Sequence, residues 1–155
     1  MGVGSDPLNQ SQIGALSSSN FLSLGTAVLQ SLKYTQLSGL GSSQGRLLVT
    51  SAVASLNSIS IKYLSSSVLL GLESGQVAAL SSSVVNALGI PQLQAISSDG
   101  IRALDSSQVA TLQVAQLNSL YTNQVSAVDG GDIDSLGPDT LRSLNAQFVS
   151  ALTST

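Results

Sequence analysis

The chain contains no cysteine, no histidine and a single glutamate, and it is poor in charged and aromatic side chains. Charged residues make up 8% and aromatic residues 3% of its 155 residues, and its formal net charge is −3. Without cysteine the chain can form neither disulfides nor thiolate metal sites. Its five basic residues cannot form a stripe that neutralises several phosphates, so we expect no nucleic-acid partner.

The same absences bear on catalysis, which needs groups that change protonation state or hold a metal. Serines are abundant, but no histidine is present to act as their base. Lys33 and Lys62 could in principle pair with a serine, although both occupy repeat positions that we expect to be exposed. We therefore predict a protein that is not an enzyme and has no cofactor.

Long apolar runs are also missing, and no stretch of about 18 apolar residues predicts a membrane span. The opening MGVGSDPLNQ has neither the basic nor the apolar region of a signal peptide, so an export signal is not visible here. Hydrophobic residues nevertheless reach 43%, which argues against intrinsic disorder.

The dominant feature of the sequence is a repeat of eight residues. Stepping by eight from Leu8 to Leu152 gives nineteen aliphatic residues, of which seventeen are leucine. We call each eight-residue unit an octad and count its positions from this anchor. Position 6 carries a second apolar anchor from Ile13 to Val149, broken only at Gly45, and position 8 is usually small. The sequence thus predicts a leader at 1–7 and a single octad-repeat domain at 8–155.

Fourteen anchors in the most regular part of the array are predicted to form the core. They occupy positions 1 and 6 of successive octads: Leu72, Val77, Leu80, Val85, Leu88, Leu93, Ile96, Ile101, Leu104, Val109, Leu112, Leu117, Leu120 and Val125.

An octad period cannot belong to one continuous helix, because about 100° per residue rotates each anchor by about 80° from the last. The chain must therefore bend once per octad. Position 2 often holds a helix-capping residue and position 5 a glutamine or asparagine, as in Asp105 and Gln108, which is the capping-box spacing. Such short helices are stable only when stacked. We predict an all-α solenoid with a Leu/Val/Ala interior and a Ser/Gln/Asn exterior.

The alternative is a β-solenoid, because positions 6 and 8 alternate as in a strand. Leucine, alanine and glutamine favour helix, and caps have no use in a strand. In the stretch 39–47 the second anchor is replaced by Gly45 and three glycines cluster, so we expect a kink or a loosened coil there.

This pattern resembles the Leu-Thr-Thr-Ala-Gln-Ile-x-Ala octapeptide arrays of long bacterial surface proteins labelled haem utilization or adhesion proteins. Eight glutamines stand at the family's Gln position: Gln12, Gln36, Gln44, Gln76, Gln92, Gln108, Gln116 and Gln124. Serine, glycine and aspartate replace much of the family's threonine. The resemblance implies a cell-surface or extracellular location and a spacer or adhesive role, and it implies no catalytic residue.

The acidic run Asp129, Asp132, Asp134 and Asp139 is the one candidate metal site, because calcium prefers clustered oxygen ligands. Its spacing matches neither the EF-hand loop nor the glycine-rich nonapeptide of calcium-binding β-rolls. Asp129 stands at a cap position, so solvated helix caps also account for the run.

Three functional hypotheses remain. The first is a structural protein whose copies join end to end into filaments, because the repeat pattern continues to Leu152 without a polar cap. The second is a spacer segment of a long adhesin. The third is a solenoid binding module for a protein or polysaccharide, although its aromatic residues (Phe21, Tyr34, Tyr63, Tyr121, Phe148) form no single repeat-spaced stripe.

Overall fold

In a computed structural model, residues 8–24 and 31–153 are described, and this part of the chain is entirely helical in its regular structure. The predicted leader 1–7 and the predicted anchor Leu29 lie outside the described residues. Each octad whose helix is described contains one short helix. The bounds are α1 Gln10–Gly14, α2 Ser18–Ser23, α3 Tyr34–Leu37, α4 Ser42–Leu47, α5 Thr50–Ala54, a 3₁₀ helix Ser60–Tyr63, α6 Ser66–Gly71, α7 Ser74–Ala78, α8 Ser82–Ala87, α9 Ile90–Ala95, α10 Ser98–Arg102, α11 Ser106–Val109, α12 Val114–Leu117, α13 Thr122–Val125, α14 Gly130–Asp134, α15 Pro138–Arg142 and α16 Ala146–Leu152.

Each described α-helix begins after an extended residue at position 2, whereas the 3₁₀ helix begins at Ser60, position 5 of its octad. The backbone of Asp105, for example, has φ −85° and ψ 166°, and the chain becomes helical at Ser106. Its side chain accepts a hydrogen bond from the backbone N–H of Gln108 at 2.8 Å. The predicted all-α solenoid is confirmed, and the described residues contain no strand that would support a β-solenoid.

Three octads complete one turn of the solenoid. The helices in substantial contact belong to octads three apart: α4 packs on α6, α7 on α10 and α8 on α11. α7 begins at Ser74 and α10 at Ser98, 24 residues later. The solenoid therefore has three side walls, each built from one octad per turn.

The core runs along the solenoid axis without interruption. All fourteen residues of the predicted core are at most 5% exposed. The prediction that glutamine lies on the exterior is wrong for position 5, where seven of the eight glutamines are buried: Gln36, Gln44, Gln76, Gln92, Gln108, Gln116 and Gln124. The predicted second anchors Leu141 and Val149 are exposed by 39% and 48%, because no later turn among the described residues covers them.

The stretch 39–47 is closely packed, so the expectation of a loosened coil is wrong. A Cβ atom on Gly45 would meet the carbonyl oxygen of Val68, and one on Gly71 would meet that of Ser42. The two glycines thus bring the backbones of α4 and α6 together. Within the described residues, no helix has the length and apolar character needed to span a membrane.

Candidate functional site

The most regular chemical feature of the structure is the side-chain amide at position 5. In all eight glutamine octads the Oε1 atom accepts a hydrogen bond from the backbone N–H at position 2, at distances of 2.6 to 3.0 Å. This N–H has no partner within its own short helix. The capping-box spacing predicted a bond from the amide at position 5 to the backbone at position 2, and this bond is confirmed.

The Nε2 atom of the same glutamine bonds the preceding turn. Gln92 donates to the carbonyl oxygens of Ile61 and Leu64, both at 2.7 Å, and Gln124 donates to those of Leu93 at 3.1 Å and Ile96 at 2.7 Å. These carbonyls lie where one helix ends and the chain turns into the next octad. Those of Ile61 and Leu93 also accept the backbone N–H groups of Leu64 and Ile96, at 3.1 and 3.2 Å. One buried amide thus bonds the start of its own helix and a corner of the turn before it.

Position 7 carries a second set of bonds between turns, which point the other way. Gln94 donates to the carbonyl of Ser119 at 2.6 Å, and Asn118 donates to that of Ser143 at 3.1 Å. Both acceptors lie 25 residues later, on the following turn. Amide side chains therefore join each turn to the turn before it and to the turn after it. Among the described residues, no buried side-chain nitrogen or oxygen lacks a hydrogen-bond partner.

Two aspartates of the acidic run, Asp129 and Asp132, make helix-cap hydrogen bonds, and the other two are exposed to solvent. Asp132 occupies position 5 and is buried; its Oδ2 accepts from the N–H of Asp129 at 3.4 Å, while its Oδ1 accepts from the Ser106 hydroxyl at 3.0 Å. Asp139 pairs with Arg142 at 3.2 Å, and Asp134 is exposed. The structure does not bring the four carboxylates together, and the described chain holds no group of three potential metal-binding side chains.

The aromatic residues separate into buried and exposed sets. Phe21 and Phe148 lie in the core, whereas Tyr34 and Tyr63 stack on the surface with ring centroids 4.7 Å apart and planes 7° apart. Their octads are three apart, so the solenoid brings together two rings that show no common stripe in the sequence. Lys33 and Lys62, the chain neighbours of these tyrosines, are both exposed as expected.

The comparison with protein families identifies one segment of the array. Residues 69–106 match the model of the ALTTAQ repeat. This ALTTAQ segment runs from α6 to the start of α11 and contains Gln76 and Gln92 together with their partners at position 2. Searches of curated proteins and of solved structures gave no match. The chain is thus a repeat protein with a helical octad architecture, and the ALTTAQ pattern includes the glutamine that joins its turns.

Proposed function

We propose that this chain is a structural, non-enzymatic repeat protein of the bacterial cell surface or extracellular matrix, whose copies assemble end to end into filaments. The observation that carries the proposal is the uniform stacking of turns. Every internal turn contacts its neighbours through the same aliphatic positions and, in the glutamine octads, the same amide bonds. Such a stack contains no feature that limits its length.

The surface chemistry supports a structural role. Most outward-facing positions carry serine, asparagine or small residues, and the described ion pairs, Arg102 with Asp99 and Arg142 with Asp139, are local and exposed. A nearly uncharged surface produces little long-range repulsion between copies. The surface location rests on the resemblance to bacterial octapeptide arrays.

Negative-stain electron microscopy and sedimentation velocity on the purified chain test the proposal. We expect particles that lengthen with protein concentration at constant width. Monodisperse particles with the mass of one chain over a hundredfold range of concentration would contradict filament formation.

The spacer segment of a long adhesin is the second candidate, and the uniform side walls favour it equally. A spacer needs length and stiffness, and both come from stacked turns that contact only their neighbours. The two candidates differ in the gene: a reading frame that continues into further octads favours the spacer, and one that stops favours the filament subunit.

A binding module for a protein or polysaccharide is favoured by one observation, the exposed Tyr34–Tyr63 pair. Aromatic side chains are frequent anchors of recognition surfaces. Binding of the chain to a polysaccharide array, with Tyr34→Ala and Tyr121→Ala as the test and control variants, separates this candidate from the other two. Tyr121 is also exposed, at 53%, but has no stacked partner among the described residues.

A further inference from the structure

Positions 5 and 6 of an octad face opposite directions along the solenoid axis. In the first described turn, Gln12 and Asn20 at position 5 are exposed, whereas Ile13 and Phe21 at position 6 are fully buried. In the last turn the order is reversed: Phe148 at position 5 is 1% exposed and Val149 at position 6 is 48% exposed. Position 5 is therefore covered by the preceding turn and position 6 by the following one.

The hydrogen bonds of the position 5 glutamines show the same direction. Each buried glutamine donates to a carbonyl of the preceding turn, and the amide nitrogen of Gln12 has no acceptor among the described residues. In the last described turn the position 1 carbonyls of Val128, Leu136 and Leu144 receive no glutamine amide from the residues that the structure describes. The first described turn thus presents amide donors, and the last described turn presents carbonyl acceptors.

The aliphatic anchors complete the two surfaces. Leu8, Leu16 and Leu24 are half-buried in the first turn, whereas the position 1 anchors from Leu64 to Leu120 are 2 to 5% exposed. We call Leu8, Gln12, Leu16, Asn20 and Leu24 the donor face. We call Ile133, Leu141, Val149 and the carbonyls of Val128, Leu136 and Leu144 the acceptor face.

We propose that the acceptor face of one copy binds the donor face of a second copy, with the contacts that join successive turns inside the solenoid. This inference rests on the proposed end-to-end assembly and specifies its interface. The partner follows from the internal stacking, because the positions exposed on one face are those that cover the other face at every internal turn. The two faces are different and neither is complementary to itself, so the contact is heterologous. All copies in the assembly then point the same way along its axis.

Single charges placed on the faces test this interface by sedimentation velocity. Val149→Glu and Leu141→Glu alter the acceptor face at side chains that are already exposed, so both variants keep the helical circular dichroism of the native chain. We expect each to weaken association by more than about tenfold, because a charge would be buried without a partner. Leu70→Glu and Ile59→Glu are the matched controls on the side walls, at 63% and 56% exposure, and should associate as the native chain does.

A mixing experiment tests the direction of the contact. Leu8→Glu blocks the donor face and Val149→Glu the acceptor face, so we expect each variant alone to remain a monomer. An equimolar mixture should form a dimer and nothing larger, because one intact face of each kind remains. Association of Leu8→Glu alone would show pairing between two acceptor faces, and association of Val149→Glu alone would show pairing between two donor faces. Either result would overturn the proposed interface.

The outcomes separate this inference from the function on which it rests. If the native chain associates and the side-wall variants abolish association while Val149→Glu does not, copies join side by side. The donor–acceptor interface is then wrong although self-assembly stands. If the native chain remains a monomer at every concentration, both the interface and the proposed filament are wrong.

Discussion

Glutamine at position 5 satisfies polar groups that short stacked helices leave without partners. A helix of four to seven residues has free N–H groups at its start and free carbonyls at its end, and here both are close to the core. The amide has an acceptor and two donor hydrogens, so one side chain can bond both ends.

The first prediction concerns this amide. Gln92→Leu removes the acceptor for the N–H of Gly89 and the side-chain donor for the carbonyls of Ile61 and Leu64, of which that of Ile61 keeps the backbone N–H of Leu64 as a partner. We expect the free energy of unfolding to fall by about 3 kcal/mol, measured by urea denaturation. Gln147→Leu, at an exposed position of α16, is the control and should change stability by less than about 0.5 kcal/mol. Equal effects of the two substitutions would contradict the role of the amide.

Glycine acts at the residue scale by permitting contact between backbones. Gly45→Ala places a methyl group against the carbonyl of Val68, and we expect a loss of about 1 to 3 kcal/mol. Gly75→Ala lies in α7 with nothing within 4 Å of the new methyl group, so it should stabilise by about 0.5 to 1 kcal/mol through helix propensity. Thermal denaturation of the two variants checks the opposite signs; a shared sign would show that close contact does not explain Gly45.

The sequence predicted only one of the two sets of hydrogen bonds that the position 5 glutamines make. The spacing of Asp105 and Gln108 is local, so the bond from the amide to position 2 could be expected from the capping box. The other set joins residues 28 apart, such as Gln116 and Leu88, and depends on the number of octads per turn. Periodicity fixes the bend in each octad but not that number. Gly45 was misinterpreted for the same reason, since its partner octad could not be located.

At the scale of the helix, capping decides where each element begins. Four of the sixteen described α-helices, α3, α11, α12 and α13, are only four residues long. Such a helix depends strongly on the hydrogen bonds at its start. The amide at position 5 bonds the start of all four, whereas the side chain at position 2 does so in α11. The sequence located these starts correctly because the capping signal is contained within four consecutive residues.

The third prediction tests the cap of α11. Asp105→Ala removes the acceptor for the N–H of Gln108 at 2.8 Å, and we expect a loss of about 1 kcal/mol. Asp105→Asn keeps an acceptor oxygen and should lose less than half of that amount. Chemical denaturation of the two variants compares them directly. An equal loss for asparagine and alanine would show that the carboxylate charge, and not the cap bond, stabilises the helix start.

At the scale of the whole molecule, stability comes from apolar burial and amide bonds and owes little to charge. The two described ion pairs join residues three apart on the surface, where such pairs contribute about 0 to 1 kcal/mol. No side-chain pair of opposite charge is buried among the described residues.

We therefore predict that the melting temperature changes by less than about 3 °C between 0.02 and 0.5 M sodium chloride, because salt would screen only these weak pairs. Differential scanning calorimetry on the native chain checks this. The double variant Asp99→Ser, Asp139→Ser is the control and should show the same salt response. A steep salt dependence in the native chain alone would show that charge interactions contribute more than the structure indicates.

The fold class and the core of the regular octads followed from the sequence, because their signal repeats many times. The exposure of Leu141 and Val149 did not, since a pattern assigns the same environment to every equivalent position. The number of covering turns differs along the array, and that is a property of the assembled molecule.

The turn of 24 residues also affects how such a protein can change in length. Tandem duplication of any 24 consecutive codons would add one complete turn. Every later octad would keep its place on the same wall, so features such as the tyrosine pair would move along the axis without rotating around it. Duplication of a single octad would instead rotate everything downstream by about a third of a turn. Gene lengthening in units of three octads is thus the form of growth that leaves the pattern of each wall intact.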